Sequence, residues 1–184
     1  MIDYTYSVVR ADSYYMVGGV YGWNAEAASK LAFYNEGGSK ASITTQWTGD
    51  ANLKIWNRAN INNWDLAWGS VTDGETAAEG DLVNSGANAF VCPEKGAYYT
   101  LTIDMSSKKY SWTKLDNQEP QAFSHVSIIG GFNDWKADVD MTQTAPHNWY
   151  LRHKFTAATE MKFRADHEWT TSWGGQTAAL ADMI

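Results

Sequence analysis

The sequence predicts an all-β protein made of tandem β-sandwich domains. Three observations support this class: most apolar segments alternate with a period of two, few segments have helical spacing, and one aromatic pattern occurs twice. The chain has 184 residues, of which 44% are hydrophobic, so it is long enough to bury a core and is expected to fold.

Strand-like segments follow one another along the chain. Alternating, β-branched or aromatic residues predict strands at 3–9, 13–19, 40–47 and 52–57. Residues 98–105 and 109–112, joined by a turn, predict a hairpin. Its first strand places three apolar side chains on one face, those of Tyr99, Leu101 and Ile103.

Other kinds of segment are few. Two short Ala-rich stretches, 25–34 and 177–184, have a helix-like composition. Residues 69–86 are acidic and contain glycine, which predicts a long surface loop, and the polar residues 116–122 predict a linker. Cys92 is the only cysteine and lies in an apolar run, so it is expected to be a buried small side chain.

The chain contains an internal repeat. Residues 16–24 (MVGGVYGWN) align with 128–136 (IIGGFNDWK), and residues 53–70 align with 161–175 if the first copy carries a few extra residues. The aligned pairs are Trp23 with Trp135, Lys54 with Lys162, Trp56 with Arg164, Trp64 with Trp169, and Trp68 with Trp173.

The repeat predicts the domain boundaries. Residues 13–115 form one complete β-sandwich and 123–184 a second copy that lacks its closing strands, with the linker 116–122 between them. Residues 1–12 resemble the last strand of a preceding repeat, or a linker. We therefore expect a window from a longer tandem array; alternatively, the N-terminal strand closes the second copy by permutation.

Residues 130–175 have the composition of a sugar-binding platform. Glycines bound this stretch, which contains Trp135 and Trp173, and Lys162 and Arg164 lie between them on a predicted strand. A glucose ring has an apolar face that an aromatic ring can cover and a rim of hydroxyls to which Arg, Lys or Asn can donate. Two rings set at an angle would fit a curved α-1,4-glucan, whereas flat β-1,4 chains prefer coplanar rings.

The motifs GGFNDWKADVDM, KFRADHEW and WGG resemble those of the SusE/SusF family of Bacteroidetes outer-membrane starch-binding lipoproteins. The resemblance is close over 123–175 and looser over 14–115. It implies immunoglobulin-like β-sandwich domains at the cell surface that bind starch without cleaving it. It also implies a lipid anchor and export signal outside this sequence, and leaves association with other outer-membrane glycan-uptake proteins open.

The resemblance implies a site of two aromatic residues and a basic residue in each copy. In the second copy these are Trp135, Trp173 and Arg164, with Lys162 beside them. The first copy offers Trp23, Trp68 and Lys54, but Trp56 replaces the Arg, which departs from the family pattern. Trp64 and Trp169 are interpreted as residues that pack within the preceding loop, and Trp149 as a core residue.

Other functions find less support. The net charge of −7 argues against nucleic acid, and no cofactor or metal motif is present. Asp166 and Glu168 flank His167, a spacing more typical of solvated surface than of a glycosidase pair. We therefore predict a non-enzymatic starch- or maltooligosaccharide-binding protein. The alternatives are a binding appendage of a glycoside hydrolase, a binder of another polysaccharide, and a structural spacer.

Overall fold

The computed structural model describes residues 13–19, 22–28, 32–47, 52–115 and 121–175. Three predicted features lie outside these ranges: the strand within 1–12, most of the linker 116–122, and the Ala-rich stretch 177–184. The chain divides into two compact units. Among the described residues, the larger unit holds those up to 115 together with 144–148, and the smaller unit holds 121–143 and 149–175.

The larger unit is built from two antiparallel sheets and one short helix, α1 (Ala25–Ala28). Its strands are β1 (Tyr14–Gly18), β2 (Tyr34–Gly37), β3 (Lys40–Gln46), β4 (Asn52–Asn57), β5 (Glu79–Asp81), β6 (Phe90–Val91), β7 (Tyr98–Asp104) and β8 (Lys109–Lys114). One sheet has the order β1-β4-β6 and the other the order β2-β3-β7-β8-β5.

The core of the larger unit lies between these two sheets. Alternation buries Leu53 and Ile55 of β4 on one side and Leu101 and Ile103 of β7 on the other. The ring of Trp112 packs edge-on against buried rings of the same core. The unit is therefore a two-layer β-sandwich, and the predicted all-β class is confirmed.

The smaller unit repeats the arrangement of β1 and β4. Its strands β9 (Val126–Gly130), β10 (Val139–Asp140), β13 (Met161–Ala165) and β14 (Ser172–Trp173) form a sheet in the order β10-β9-β13-β14. The chain also forms a two-stranded hairpin of β11 (Thr142–Ala145) and β12 (Asn148–Tyr150), whose residues 144–148 belong to the larger unit.

Strand register supports the predicted alignment of the two copies. Tyr15 lies opposite Trp56 in the first copy, and Ser127 lies opposite Arg164 in the second. Trp56 and Arg164 therefore lie on the same face and at the same step of equivalent strand pairs.

Several local predictions are confirmed and others are corrected. The β7–β8 hairpin is present, and Cys92 is buried, which raises the pKa of its thiol to about 11. The predicted loop 69–86 includes the strand β5, which pairs with β8. Of the helix expected at 25–34, the structure describes α1 (Ala25–Ala28), and Tyr34 instead begins β2. None of the helices among the described residues is long and apolar enough to span a membrane.

Candidate functional site

Equivalent turns after β1 and β9 carry Trp23 and Trp135. The backbone N–H of Trp23 donates to the carbonyl of Gly18 at 3.0 Å, and that of Trp135 donates to the carbonyl of Gly130 at 2.9 Å. Both tryptophans have left-handed backbones, with φ of 57° and 59°. This conformation costs a non-glycine residue roughly 1–2 kcal/mol. Its occurrence at the same residue of both turns suggests that the direction of the ring is functionally important.

Gly18 and Gly130 start these turns because another backbone lies against them. A Cβ on Gly18 would be 2.5 Å from the carbonyl oxygen of Asn52, and one on Gly130 would be 2.3 Å from that of Glu160. Only glycine fits without displacing the neighbouring strand. These glycines therefore fix the point at which the chain leaves β1 or β9 and enters the turn that carries the tryptophan.

Each turn tryptophan has a second tryptophan beside it. The ring centroids of Trp23 and Trp64 are 6.1 Å apart with an interplanar angle of 51°. Those of Trp135 and Trp169 are 6.2 Å apart with an angle of 40°. Trp64, Trp135 and Trp169 are 42%, 39% and 50% exposed, and Trp23 is half-buried. The two copies thus present similar tilted pairs of solvent-accessible indoles.

The outer tryptophan of each pair rests on a residue of the underlying strand. In the first copy the ring of buried Trp56 is 4.5 Å from that of Trp64, and its Nε1 donates to the carbonyl of Asn63 at 3.1 Å. In the second copy the guanidinium carbon of Arg164 is 4.7 Å from the ring of Trp169. We call Trp23, Trp64 and Trp56 the first site, and Trp135, Trp169 and Arg164 the second site. Trp56 and Arg164, which lie against the outer tryptophans, are called the support residues.

The guanidinium of Arg164 is held by a carboxylate. Its Nε donates to Oδ1 of Asp138 at 2.6 Å, and its Nη2 donates to Oδ2 of the same group. Ser127 Oγ donates to Asp138 Oδ1 as well, at 2.5 Å. The pKa of Asp138 is lowered to about 2, mainly by the hydrogen bonds from Arg164. Two of the five N–H groups of Arg164, a residue expected to donate to sugar hydroxyls, are therefore committed to Asp138.

Trp68 and Trp173 do not lie in these pairs. Trp68 is opposite Ile55 and Trp173 is opposite Phe163, and opposed residues of an antiparallel ladder share a face of the sheet. The support residues that follow Ile55 and Phe163 point to the other face. Trp68 packs against the core, and Trp173 contacts the ring of Phe123 at 5.4 Å. The structure therefore pairs Trp135 with Trp169 and Trp23 with Trp64, and does not bring together the expected pairs Trp135 with Trp173 and Trp23 with Trp68.

Lys54 and Lys162 lie on the same sheet face as the support residues. Each comes two positions before its support residue in β4 or β13, and alternate residues of a strand share a face. Lys162 is exposed and Lys54 is half-buried. Their placement is consistent with their predicted inclusion in the two sites.

Sequence reasoning placed Trp64 and Trp169 in the repeat but missed their exposure. The available signal was their position in polar loops rich in Asn, Asp and His, which supply few apolar partners for an indole. In the second loop, Oδ1 of Asp166 accepts backbone N–H groups of Ser124 and His125, each at 2.8 Å. Asp166 therefore braces the loop that presents Trp169.

The described residues contain no cluster of three or more His, Cys, Asp or Glu side chains suited to a metal ion. His167 Nε2 lies 2.6 Å from Asp140 Oδ1, and the pKa of His167 is raised mainly by that contact.

Comparison with known proteins places these features in a family. A family model described as "SusF, first starch specific CBM" matches residues 8–114. The chain is also similar to Outer membrane protein SusF of Bacteroides thetaiotaomicron, with 25% identity over 181 residues that cover 92% of this chain and 36% of the relative. The chain thus spans about a third of the length of that relative.

The crystal structure of SusF from Bacteroides thetaiotaomicron matches with a TM-score of 0.49 and 19% identity, covering 95% of this chain and 40% of that one. The family match spans more than half of the sequence and includes the whole first site. The chain therefore belongs to the family of SusF first starch-specific CBMs, or carbohydrate-binding modules.

Proposed function

We propose that this chain binds starch or maltooligosaccharides at the first and second sites without cleaving them. The observation that carries the proposal is the tilt of the two solvent-accessible tryptophan pairs, 51° for Trp23 with Trp64 and 40° for Trp135 with Trp169. Neighbouring glucose units of an α-1,4 chain turn relative to one another, so tilted rings can each cover one sugar face. A flat β-1,4 chain would favour coplanar rings.

Polar groups beside the rings complete the proposed contact. Lys162 in the second site and Lys54 in the first lie on the same sheet face as the supports of the outer rings. Each ammonium has three donors and a flexible stem, so it can reach hydroxyls at the sugar rim. This assignment gives both sites a basic residue, although the first site has Trp56 where the second has Arg164.

The non-enzymatic part of the proposal is supported by the family description and by the shape of the sites. Two solvent-accessible indoles on an open surface leave a bound glucan accessible to water, and two of the carboxylates nearby have structural partners. Asp138 holds Arg164, and Asp166 braces its own loop. The rival function is a binding appendage of a glycoside hydrolase. Reducing-end release from starch by the full-length protein would favour that rival.

The location is proposed from the relative. The similar protein is named an outer membrane protein. We place this chain at the bacterial cell surface as part of an outer-membrane lipoprotein, with association with glycan-uptake proteins as a further expectation. Proteolytic shaving of intact cells followed by immunodetection tests surface exposure, and protection equal to that of a periplasmic marker would contradict it.

Calorimetric titration with maltoheptaose and with cellohexaose tests the binding proposal. We expect heat from the α-1,4 ligand and little from the β-1,4 ligand. The double variant Trp23→Ala/Trp135→Ala should lose most of the heat, whereas Tyr34→Ala, which removes an exposed aromatic of β2, should keep it. Equal binding of the two ligands points to another polysaccharide, and no binding of either by the wild-type protein overturns the proposal.

A further inference from the structure

We propose that Arg164 is a positioning residue for Trp169, and that the ion pair with Asp138 fixes the angle of the second site's aromatic pair. This inference rests on the proposed sugar-binding function, because it assigns Arg164 a role in shaping the site. A direct donor to sugar hydroxyls would have to present its remaining N–H groups to the solvent, whereas a positioning residue is buried and held rigidly itself.

The contacts of Arg164 are those of a rigid support. The residue is only 9% exposed, and both carboxylate oxygens of Asp138 accept from its fork. Ser127, which is fully buried, donates to the same carboxylate and lies directly across the ladder from Arg164. A two-point contact fixes the plane of a guanidinium, which a single contact would not do. The guanidinium carbon lies over the ring of Trp169, 4.7 Å from its centroid.

The first site has an uncharged support at the same position. Trp56 occupies the equivalent step of β4, is fully buried, and lies 4.5 Å from the ring of Trp64. Its own orientation is fixed by the hydrogen bond from Nε1 to Asn63. Each site therefore has a planar side chain that is held by hydrogen bonds and lies against the outer tryptophan, but only the side chain of the second site is charged. Trp56 and Arg164 can both support the ring above them, whereas Arg is better suited than Trp to donate hydrogen bonds to sugar hydroxyls. The comparison therefore favours support as the role that the two residues share.

The test isolates the second site in a Trp64→Ala background. Maltoheptaose affinity is measured for Asp138→Asn, Arg164→Lys and Arg164→Trp, and each variant is checked by circular dichroism and thermal unfolding. The ring of Trp169 is followed separately by fluorine NMR of 5-fluorotryptophan-labelled protein without sugar. Trp169→Phe assigns that resonance.

A positioning role predicts that Asp138→Asn, which is nearly isosteric, shifts the Trp169 resonance and weakens binding on the order of tenfold, or about 1.4 kcal/mol. Arg164→Lys should behave similarly, since an ammonium has no plane to hold the ring. Arg164→Trp, which installs the first site's support, should bind better than Arg164→Lys.

A donor role predicts the reverse order. Arg164→Lys would then bind better than Arg164→Trp, and Asp138→Asn would keep or increase affinity because it releases the guanidinium; either result overturns the inference. If Arg164→Trp does not fold, Asp138→Asn decides the question by the same two readouts. Absence of maltoheptaose binding before these changes would count against the proposed function alone. The sugar-free Trp169 resonance in Asp138→Asn would still decide the positioning role, since an unchanged resonance contradicts it.

Discussion

Trp169 and Trp173 are close in sequence but have different environments. Trp169 is half exposed beside Trp135, whereas Trp173 belongs to β14 and contacts Phe123. We predict that Trp169→Ala weakens maltoheptaose binding at the second site by about tenfold or more, as expected for an aromatic anchor. Trp173→Ala should lower thermal stability and change affinity much less. Calorimetry in the Trp64→Ala background provides the comparison, and a larger affinity loss for Trp173→Ala would restore the pairing predicted from sequence.

Asp138 should make the stability of the smaller unit depend on pH in the acidic range. Its pKa is about 2 in the folded chain against an ordinary value of 3.8. A lowered carboxylate pKa stabilises the fold above the ordinary pKa, and this stabilisation is lost as the pH falls through the folded value. Amide exchange of β13 should therefore show the wild-type advantage over Asp138→Asn shrinking between about pH 4 and pH 2. A difference that stays constant across this range would contradict the assignment.

The role of Arg164 shows what sequence could and could not reveal about single residues. Alternation in 161–165 correctly predicts a strand that carries Lys162 and Arg164 on one face. The partner of Arg164 is Asp138, which directly precedes β10 and is brought close by the pairing of both β10 and β13 with β9. Such a distant ion pair leaves no periodic signal, so the burial of the guanidinium could not be predicted.

Among the elements, the glycine at the end of β9 is constrained by the backbone of the neighbouring strand. A Cβ at Gly130 would lie 2.3 Å from the carbonyl oxygen of Glu160 and 2.9 Å from the Cα of Met161, both of which are backbone atoms. We predict that Gly130→Ala destabilises the smaller unit by about 1–3 kcal/mol, the typical cost of overpacking. Gly174→Ala is the matched control, because its nearest contact would be 3.4 Å from the flexible Lys162 side chain. Urea unfolding compares the two, and equal stability would contradict the close approach.

Elements with a strong pattern were predictable, and those that depend on a partner were not. The β7–β8 hairpin follows from alternating apolar residues. By contrast, β5 consists of Glu79, Gly80 and Asp81, which favour a loop, and it becomes a strand by pairing with β8. In the same way, residues 25–34 have helical composition, but Tyr34 at the end of this stretch belongs to β2, which pairs with β3.

For the whole molecule, the repeat predicts two independent sites for a short ligand. The pairs Trp23–Trp64 and Trp135–Trp169 each fall within one unit. We expect about two maltoheptaose molecules per chain, and one for either Trp64→Ala or Trp169→Ala, with modest affinity because an open surface orders few groups. Binding to the starch polymer should weaken more than additively when one site is lost, since engagement of two sites raises avidity. Sedimentation with granular starch and calorimetry test these expectations; unaltered stoichiometry in both variants would contradict them.

The most direct test of the central claim is a titration of the tryptophan indole N–H signals of the protein with maltoheptaose, monitored by two-dimensional NMR. The ten tryptophans report on each candidate ring at once. The signals of Trp23, Trp64, Trp135 and Trp169 should move with the ligand, while those of the core residues Trp47 and Trp112 stay fixed. Movement of Trp68 and Trp173 in place of Trp64 and Trp169, or no movement at all, would contradict the assignment of the two tilted pairs as the glucan-binding sites.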